Sequence, residues 1–364
     1  MYRIQTIVNL LVLPGDGIGP EITKATLAVL DAANRKFRLG LEYEHRPIGL
    51  DAHRKHGTTL PDGTLERARE VDGVILGPLD QLHYPPADKG GLNPSALFRV
   101  KLDLYANVRP ARNRVPGLGR AMDLVIMREC TEGFYSDRNM FQGIGEFMPD
   151  KDMALSVRKI TAKASNRIAR TAFELARKRR KKVTAVHKVN VIKVSEALFL
   201  RECRAVAKEF PDVAYDEQLI DSMAALLVRD AQRFDCVVTT NMFGDILSDE
   251  ASELSGSLGL AGAVNASQTH CMAQAQHGSA PDIAGQDKAN PASLILSASM
   301  LLEWLSIKHK KDSFAAAHRA IEDALDSVLK DPARRTPDLG GSVGTKAFTE
   351  SLCREIESKN TQAA

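Results

Sequence analysis

The 364-residue chain has few cysteines: Cys130, Cys203, Cys236, Cys271 and Cys353 are an odd number, widely scattered, with no CxxC pair. That excludes a disulfide framework or a zinc site as the organising feature and fits a reducing cytoplasm. Long apolar runs are absent too. No stretch reaches the ~18 apolar residues of a membrane span, so the chain reads as soluble. The opening MYRIQTIVNLLVLPGDG has only Arg3 as a charge before its apolar run and no small-residue cleavage site after it, so it reads as a buried strand. Charge of one sign is lacking as well: 49 basic against 46 acidic side chains leave a formal net charge of +3. Such a balance creates no field that would call for nucleic acid or a membrane surface. Internal repeats and low-complexity linkers are also missing. What remains is an ordinary globular composition, 44% hydrophobic and 26% charged. The length exceeds a usual single core and implies two domains or one elaborate α/β unit.

Along the chain, strands and helices alternate. Ile7 to Leu13 is a strand, Pro14-Gly15-Asp16-Gly17-Ile18-Gly19 a glycine-rich turn, and a helical pattern follows through Ile22, Leu27, Val29 and Leu30. The turn lets backbone approach a nucleotide or anion, although its GxGxG spacing is not the dinucleotide fingerprint, and a plain tight turn explains it equally. PDGTLERAREVDGVILGP reads as a capped helix and then the buried strand Asp72 to Leu76. Further strands are expected at Leu124 to Met127, Val183 to Val186 and Asp235 to Thr240. Helices are expected at Ile168 to Arg177, Val194 to Phe210, Pro291 to Leu305, Phe314 to Leu329 and from Lys346. This alternation predicts an α/β fold with a largely parallel sheet. Residues 137–152, with several Met and Phe and no clear period, suit a protruding arm against a partner subunit.

Chemistry concentrates in FDCVVTTNMFGDILSDEASELSGSLGL, residues 234–260. Its strand is expected to close in a turn at Asn241 and Gly244 before a helix whose first turns carry Asp245 and Asp249. Four residues apart, the two carboxylates share a helix face and repel unless a divalent cation such as Mg²⁺ or Mn²⁺ sits between them. A helix cap at Asp245 beside a solvated Asp249 explains the same residues. Arg99, Arg109 and Arg128 stand in or beside apolar segments, as a di- or tricarboxylate pocket requires, or as three structural ion pairs. Lys188 ends a strand, where a pocket lined by other cations would lower its proton affinity; alone it reads as a surface residue. Asp221 ends another apolar, strand-like run, and Asp282 can accept from a ribose diol. The run Arg177-Lys178-Arg179-Arg180-Lys181-Lys182 is read as cations at a helix end, not as a nucleic-acid patch.

Together, LPGDGIGPE, DLYANVRPAR, RECTEGFY, HKVNV, NMFGDILSDEASE and HGSAPDIAGQDKANP resemble, in order over nearly the whole chain, the motifs of the isocitrate and isopropylmalate dehydrogenases, the β-decarboxylating hydroxyacid dehydrogenases. The resemblance implies a doubly wound two-domain α/β subunit lacking a standard Rossmann unit. Residues 1–105 with 256–364 would form the cofactor-side domain and 106–255 a substrate and dimerisation domain, with an arm at about 130–152. It also implies a homodimer in which Lys188 and Asp221 come from the neighbouring subunit. Carried over, Arg99, Arg109 and Arg128 hold the malate carboxylates, with Asn93, Ser95 and Val191 also facing the substrate. Asp245, Asp249 and the other subunit's Asp221 hold Mg²⁺ or Mn²⁺, Lys188 takes the hydroxyl proton, and Tyr135 protonates the enol left by decarboxylation. His277, Gly278, Ser279, Ala280, Asp282, Ile283 and Asn290 line the cofactor. Asp282 and Ile283 imply NAD, because NADP-using relatives tend to place a lysine and a tyrosine there, and a carboxylate repels a 2′-phosphate.

Two departures from the family pattern stand out. Gln274 stands where many relatives carry a glutamate, which bears on a nicotinamide-side contact, and Asn93 with Ser95 reverses the Ser-x-Asn order of isocitrate enzymes, which bears on the substrate. The substrate is therefore a 3-substituted malate of 3-isopropylmalate or isocitrate type, with homoisocitrate, D-malate and tartrate as alternatives. A non-catalytic regulatory subunit is the rival class. Such a subunit is expected to have lost part of the set Arg99, Arg109, Arg128, Tyr135, Lys188, Asp221, Asp245 and Asp249, all of which stand here.

Overall fold

The apolar run VNLLVL forms β1 (Val8–Leu13), buried on both faces as a strand covered by helices must be. A computed structural model describes residues 7–135, 140 and 143–358. β1 pairs in parallel with β2 (Leu41–His45) and β3 (Gly73–Leu76). The sheet continues through β12 (Cys271–Gln274), β11 (Val264–Ala266), β4 (Ala106–Arg112), β5 (Asp123–Glu129), β10 (Cys236–Thr239) and β8 (Lys182–His187), and ends at β9 (Ala214–Leu219). Both flanks are parallel, as the alternation predicts. The centre differs: β12–β11, β11–β4 and β4–β5 are antiparallel. β4 and β5 are joined by a ten-residue loop with no helix, too short for a crossover, so the chain turns back on itself.

On one half of the sheet, α1 (Gly19–Phe37), α9 (Ala292–His309), α10 (Asp312–Lys330) and α11 (Thr345–Ser358) cover one face around Leu10, Ile22, Leu302, Phe314 and Phe348. α9 is apolar nearly all round, as befits a helix sealed between β12 and α10. The shorter α2 (Gly49–His56), α3 (Thr64–Glu70) and α4 (Pro94–Lys101) close this half, the last with Phe98 in the core beneath Leu13 and Leu76. The N-cap position of α3 is Gly63 and no side chain caps it, contrary to the capped start expected from PDGT. On the other half, α5 (Ala162–Arg177) and α6 (Ser195–Glu209) pack around Phe173 and Phe199. Opposite them, α7 (Ile220–Asp230) and α8 (Asn241–Leu254) bury Met223, Leu227 and Leu247. Each of these fully buried large side chains contributes roughly 1.5–3 kcal/mol by leaving water.

Outside the sheet, β6 (Glu146–Asp150) and β7 (Met153–Ser156) form an exposed antiparallel hairpin. It falls within and just beyond the segment expected to form an arm, while residues 137–139, 141 and 142 of that segment lie outside the described residues. No helix among the described residues is long and apolar enough to cross a membrane.

The basic run after α5 is woven into the sheet edge. Arg177 pairs with Asp212 at 2.6 Å, Arg179 with Asp123 at 2.7 Å and the buried Asp235 at 2.8 Å, and Lys182 with Asp216 at 3.0 Å. Acidic partners on neighbouring segments hold these cations, a stronger arrangement than the helix dipole alone.

Candidate active site

Three separate elements deliver the arginines to one cavity. Ser95 and Arg99 lie one turn apart on the same face of α4. Arg109 and Arg128 come from the adjacent antiparallel strands β4 and β5, where Asn107 stands directly opposite Arg128. α8 crosses above them and brings down Asp245, Ser248 and Asp249. Its helix begins at Asn241, immediately after β10, so the expected turn at Asn241 to Gly244 is not made. Gly244 instead serves close packing inside the helix, since a Cβ there would meet Arg128 Cβ at 2.7 Å. Asp245 and Asp249 accordingly sit in the second and third turns of α8 and cap nothing.

Arg128 is 2% exposed; its Nε and Nη2 donate to Asn241 Oδ1 at 3.0 and 2.6 Å, and its Nη1 donates to Asp245. Arg109 donates through Nε to Asn107 Oδ1 at 2.6 Å and through Nη1 to Ser248 Oγ at 2.7 Å, with Asp245 and Asp249 at 3.2 and 3.3 Å. Arg99 lies on the side-chain oxygens of Asn265 and Gln274, at 2.9 and 3.4 Å. The Tyr135 hydroxyl reaches Asp245 Oδ2 at 3.5 Å, and its ring faces the Arg128 guanidinium. These groups line a cavity of ≈ 380 Å³ whose far wall is Gln274 to Gly278. Burial would raise the Asp245 carboxyl, but the charges of Arg128, then Arg109 and Arg99, hold it below the usual carboxylate range. Burial and the like charge of Arg128 push Arg109 down. The cavity is therefore cationic and polar-walled, suited to clamping carboxylates.

Asn93 caps α4 by accepting from Ala96 N at 3.0 Å, and its amide donates to Gln81 Oε1 at 2.8 Å. Ser95 Oγ donates to Gln274 Oε1 at 3.0 Å, so Gln274 gathers Ser95, Arg99 and Asn265 onto one carbonyl oxygen. Lys188 and Asp221 are not in this cavity. They pair with each other, Nζ to Oδ1 at 2.6 Å, at the outer ends of β8 and β9, and Lys188 holds the Asp221 carboxyl below its usual range. Asp221 opens α7 instead of ending a strand. Val191 is 66% exposed and lines no part of the cavity.

The 277–283 loop borders the cavity. Gly17, with φ +56°, packs so tightly on it that a Cβ would come 2.0 Å from the Ser279 carbonyl oxygen, which also accepts from Ile18 N at 2.8 Å. The glycine turn thus makes its close approach to this loop's backbone. Ala280 has φ 38°, the open side of Gly278 faces no other atom, and Asp282 is exposed with Ile283 half-buried behind it. His277 Nε2 is buried without a hydrogen-bond partner among the described residues, and burial lowers its proton affinity. A strained backbone, an unfilled glycine face and an unanswered ring nitrogen suit a bound polar cofactor. Asn290 does not line the cavity; its amide donates to Asp338 at 2.9 Å and its oxygen accepts from Ala292 N.

For a divalent cation, Asp245 and Asp249 are hard oxygen donors on one helix face, 35% and 54% exposed, and fit such an ion. Among the described residues of one chain no third His, Cys, Asp or Glu joins them. Sequence reasoning missed Gln81 and Gln276 on the cavity wall, and Asn107, Asn241, Ser248 and Asn265 behind the arginines. Gln276 donates to Asp249 Oδ1 at 2.8 Å. Uncharged amides carry no periodic or electrostatic signal in a sequence; only the proximity of Asn107 to Arg109 hinted at one.

The family description isocitrate/isopropylmalate dehydrogenase matches residues 9–356 of this chain. A 3-isopropylmalate dehydrogenase of Archaeoglobus fulgidus is 39% identical over 96% of this chain and 99% of its own length. An isocitrate/homoisocitrate dehydrogenase of Thermus thermophilus is 40% identical over the same shares, 96% and 99%. The crystal structure of isocitrate dehydrogenase from Methylococcus capsulatus superposes with a TM-score of 0.84 at 37% identity, covering 97% of this chain and 100% of that one. With its arginine-lined cavity beneath α8, and with this agreement along nearly its whole length, the chain belongs to the isocitrate/isopropylmalate dehydrogenase family and is a decarboxylating dehydrogenase.

Proposed function

We propose that this enzyme oxidatively decarboxylates a 3-substituted malate to a 2-oxo acid and CO₂, using NAD and Mg²⁺ or Mn²⁺, as a homodimer in the cytoplasm. The observation that carries the reading is the convergence of Arg99, Arg109 and Arg128 with Tyr135 and Asp245 on one cavity. The arginines clamp the substrate carboxylates, and Asp245 and Asp249, joined by Asp221 of a second copy, hold the cation. When bound, the cation would withdraw electrons from the substrate's hydroxyl and later ketone oxygen, and the dinucleotide would accept the hydride. Lys188, also from the second copy, takes the hydroxyl proton. Loss of CO₂ from carbon 3 leaves an enol, to which Tyr135 returns a proton.

Sharing of sites is supported by the fact that neither Lys188 nor Asp221 lines its own chain's cavity, and by exposed apolar side chains. Phe147, Met148 and Met153 on the hairpin, Val228 on α7 and Ile246 on α8 are 43–63% exposed, the kind of patch a second copy covers. We read residues 106–255 as the domain carrying that interface and 1–105 with 256–364 as the cofactor domain. The exposed carboxylate of Asp282 favours NAD, since a 2′-phosphate would be repelled. Gln81, Asn93, Ser95 and Gln274 make the wall beside Arg99 polar, which favours a polar 3-substituent, as in isocitrate or homoisocitrate, that can exchange hydrogen bonds with them, over an isopropyl group that cannot. A regulatory role has no support in a cavity whose arginines, tyrosine and aspartate are all in place. The test is NADH formation over isocitrate, homoisocitrate, 3-isopropylmalate, D-malate and tartrate, with and without chelator. Full activity in chelator, equal use of NADP, or no turnover of any member would refute the reading.

A further inference from the structure

Arg158 belongs to none of the motifs above and does not line the cavity, yet its guanidinium touches the segments that carry Tyr135 and Asp245 and, through Glu196, the one that carries Lys188. It lies between the rings of Phe134 and Phe243, at 5.7 and 5.5 Å. Its Nη1 donates to Ser195 Oγ at 2.9 Å, and its Nη2 donates to Thr240 Oγ1 at 3.0 Å and to Glu196. Glu196 is wholly buried, and its second oxygen accepts from the backbone N of Lys188 at 2.6 Å. Phe134 immediately precedes Tyr135, Thr240 is the N-cap position of α8, and Phe243 lies two residues before Asp245. A buried charge pair is a poor way to gain stability, since apolar side chains of similar volume usually serve as well. What it offers is fixed direction, since its bonds tie the start of α6, the N-cap of α8 and the backbone of Lys188 together.

We infer that Arg158 and Glu196 form a positioning pair that sets the backbone of Lys188 against the segments bearing Tyr135 and Asp245. The inference rests on the reading of Lys188 as the base. Because that reading has each subunit give Lys188 away and keep Tyr135 and Asp245, the pair ties the groups a subunit donates to those it retains.

The test uses two variants that keep the charges. Glu196→Asp can still meet Arg158 but cannot also reach Lys188 N; Arg158→Lys keeps the pair but loses the fork to Ser195 and Thr240. Both are expected to lower kcat by ~10–100-fold, the scale of a misplaced catalytic group, while KM stays within about twofold. The double variant Glu196→Gln with Arg158→Met, which removes both charges, should fold and be as slow as the worse single variant. Wild-type kcat in both single variants overturns the inference, and so does a loss in which KM and thermal midpoint deteriorate in step with kcat. Lys188→Ala separates the two readings. If it is inactive while Glu196→Asp is normal, only the positioning role fails; if it is fully active, the base assignment fails and the pair's role with it.

Discussion

Two groups of cations in this molecule invite comparison: the contiguous run at 177–182 and the scattered trio Arg99, Arg109 and Arg128. In the run, Arg177, Arg179 and Lys182 each have a carboxylate of their own within 3.0 Å, on neighbouring strands and loops. In the trio, two aspartates on α8 serve the arginines, and neutral oxygens of Asn107, Asn241, Ser248, Asn265 and Gln274 add further contacts. Neutral partners orient a guanidinium without discharging it, so the cavity keeps a positive field for an anionic ligand. Density of charge along the chain therefore says little about function; how the fold compensates it says more.

That contrast can be broken most sharply at Arg128. Arg128→Lys keeps the charge but loses the fork to Asn241 and Asp245, and charge-assisted bonds of this kind contribute about 1.5–3 kcal/mol each. kcat/KM should fall by ~100-fold or more with little change in fold, as steady-state kinetics and circular dichroism would show. Arg179→Met should do the reverse. It leaves Asp235, which is 1% exposed, with the Arg180 backbone N at 2.9 Å and the more distant Arg180 guanidinium at 3.9 Å, and should cost roughly 1–3 kcal/mol in denaturant unfolding, discounted because Arg179 is itself 22% exposed, while KM is untouched. A KM effect there would undo the distinction drawn above.

Gly244→Ala bears on the cavity side through packing alone. The added methyl collides with Arg128 and should cost about 1–3 kcal/mol of stability and raise KM. At the other end of the scale, Arg177→Ala removes a pair whose members are 45% and 41% exposed, and should change stability by ~0–1 kcal/mol. Last comes a pH effect. Burial depresses His277 below its usual 6.5, so the folded state holds it neutral while the unfolded state takes up a proton. Its contribution is complete above pH 6.5 and is lost as pH falls through the lower folded value. His277→Gln should flatten that part of the stability profile; an unchanged slope would place the titration elsewhere.

The sequence by itself determined which segments became strands and helices on the flanks, because the periods of VNLLVL, CVVT and α5 are local and need no partner to be read. It also carried the identity of Arg99, Arg109, Arg128, Tyr135, Asp245 and Asp249, which the structure gathers at one cavity or its rim. Tertiary structure decided the rest. Whether Asn241 to Gly244 turned or coiled depended on Arg128 needing the space of a missing Cβ, a contact 116 residues away in the chain. The antiparallel centre of the sheet followed from strand pairings among β4, β5, β11 and β12 that no single segment encodes. The amides behind the arginines and the Arg158–Glu196 pair were silent for the same reason: a polar side chain acquires its role from whatever the fold sets opposite it, and that partner is distant in sequence.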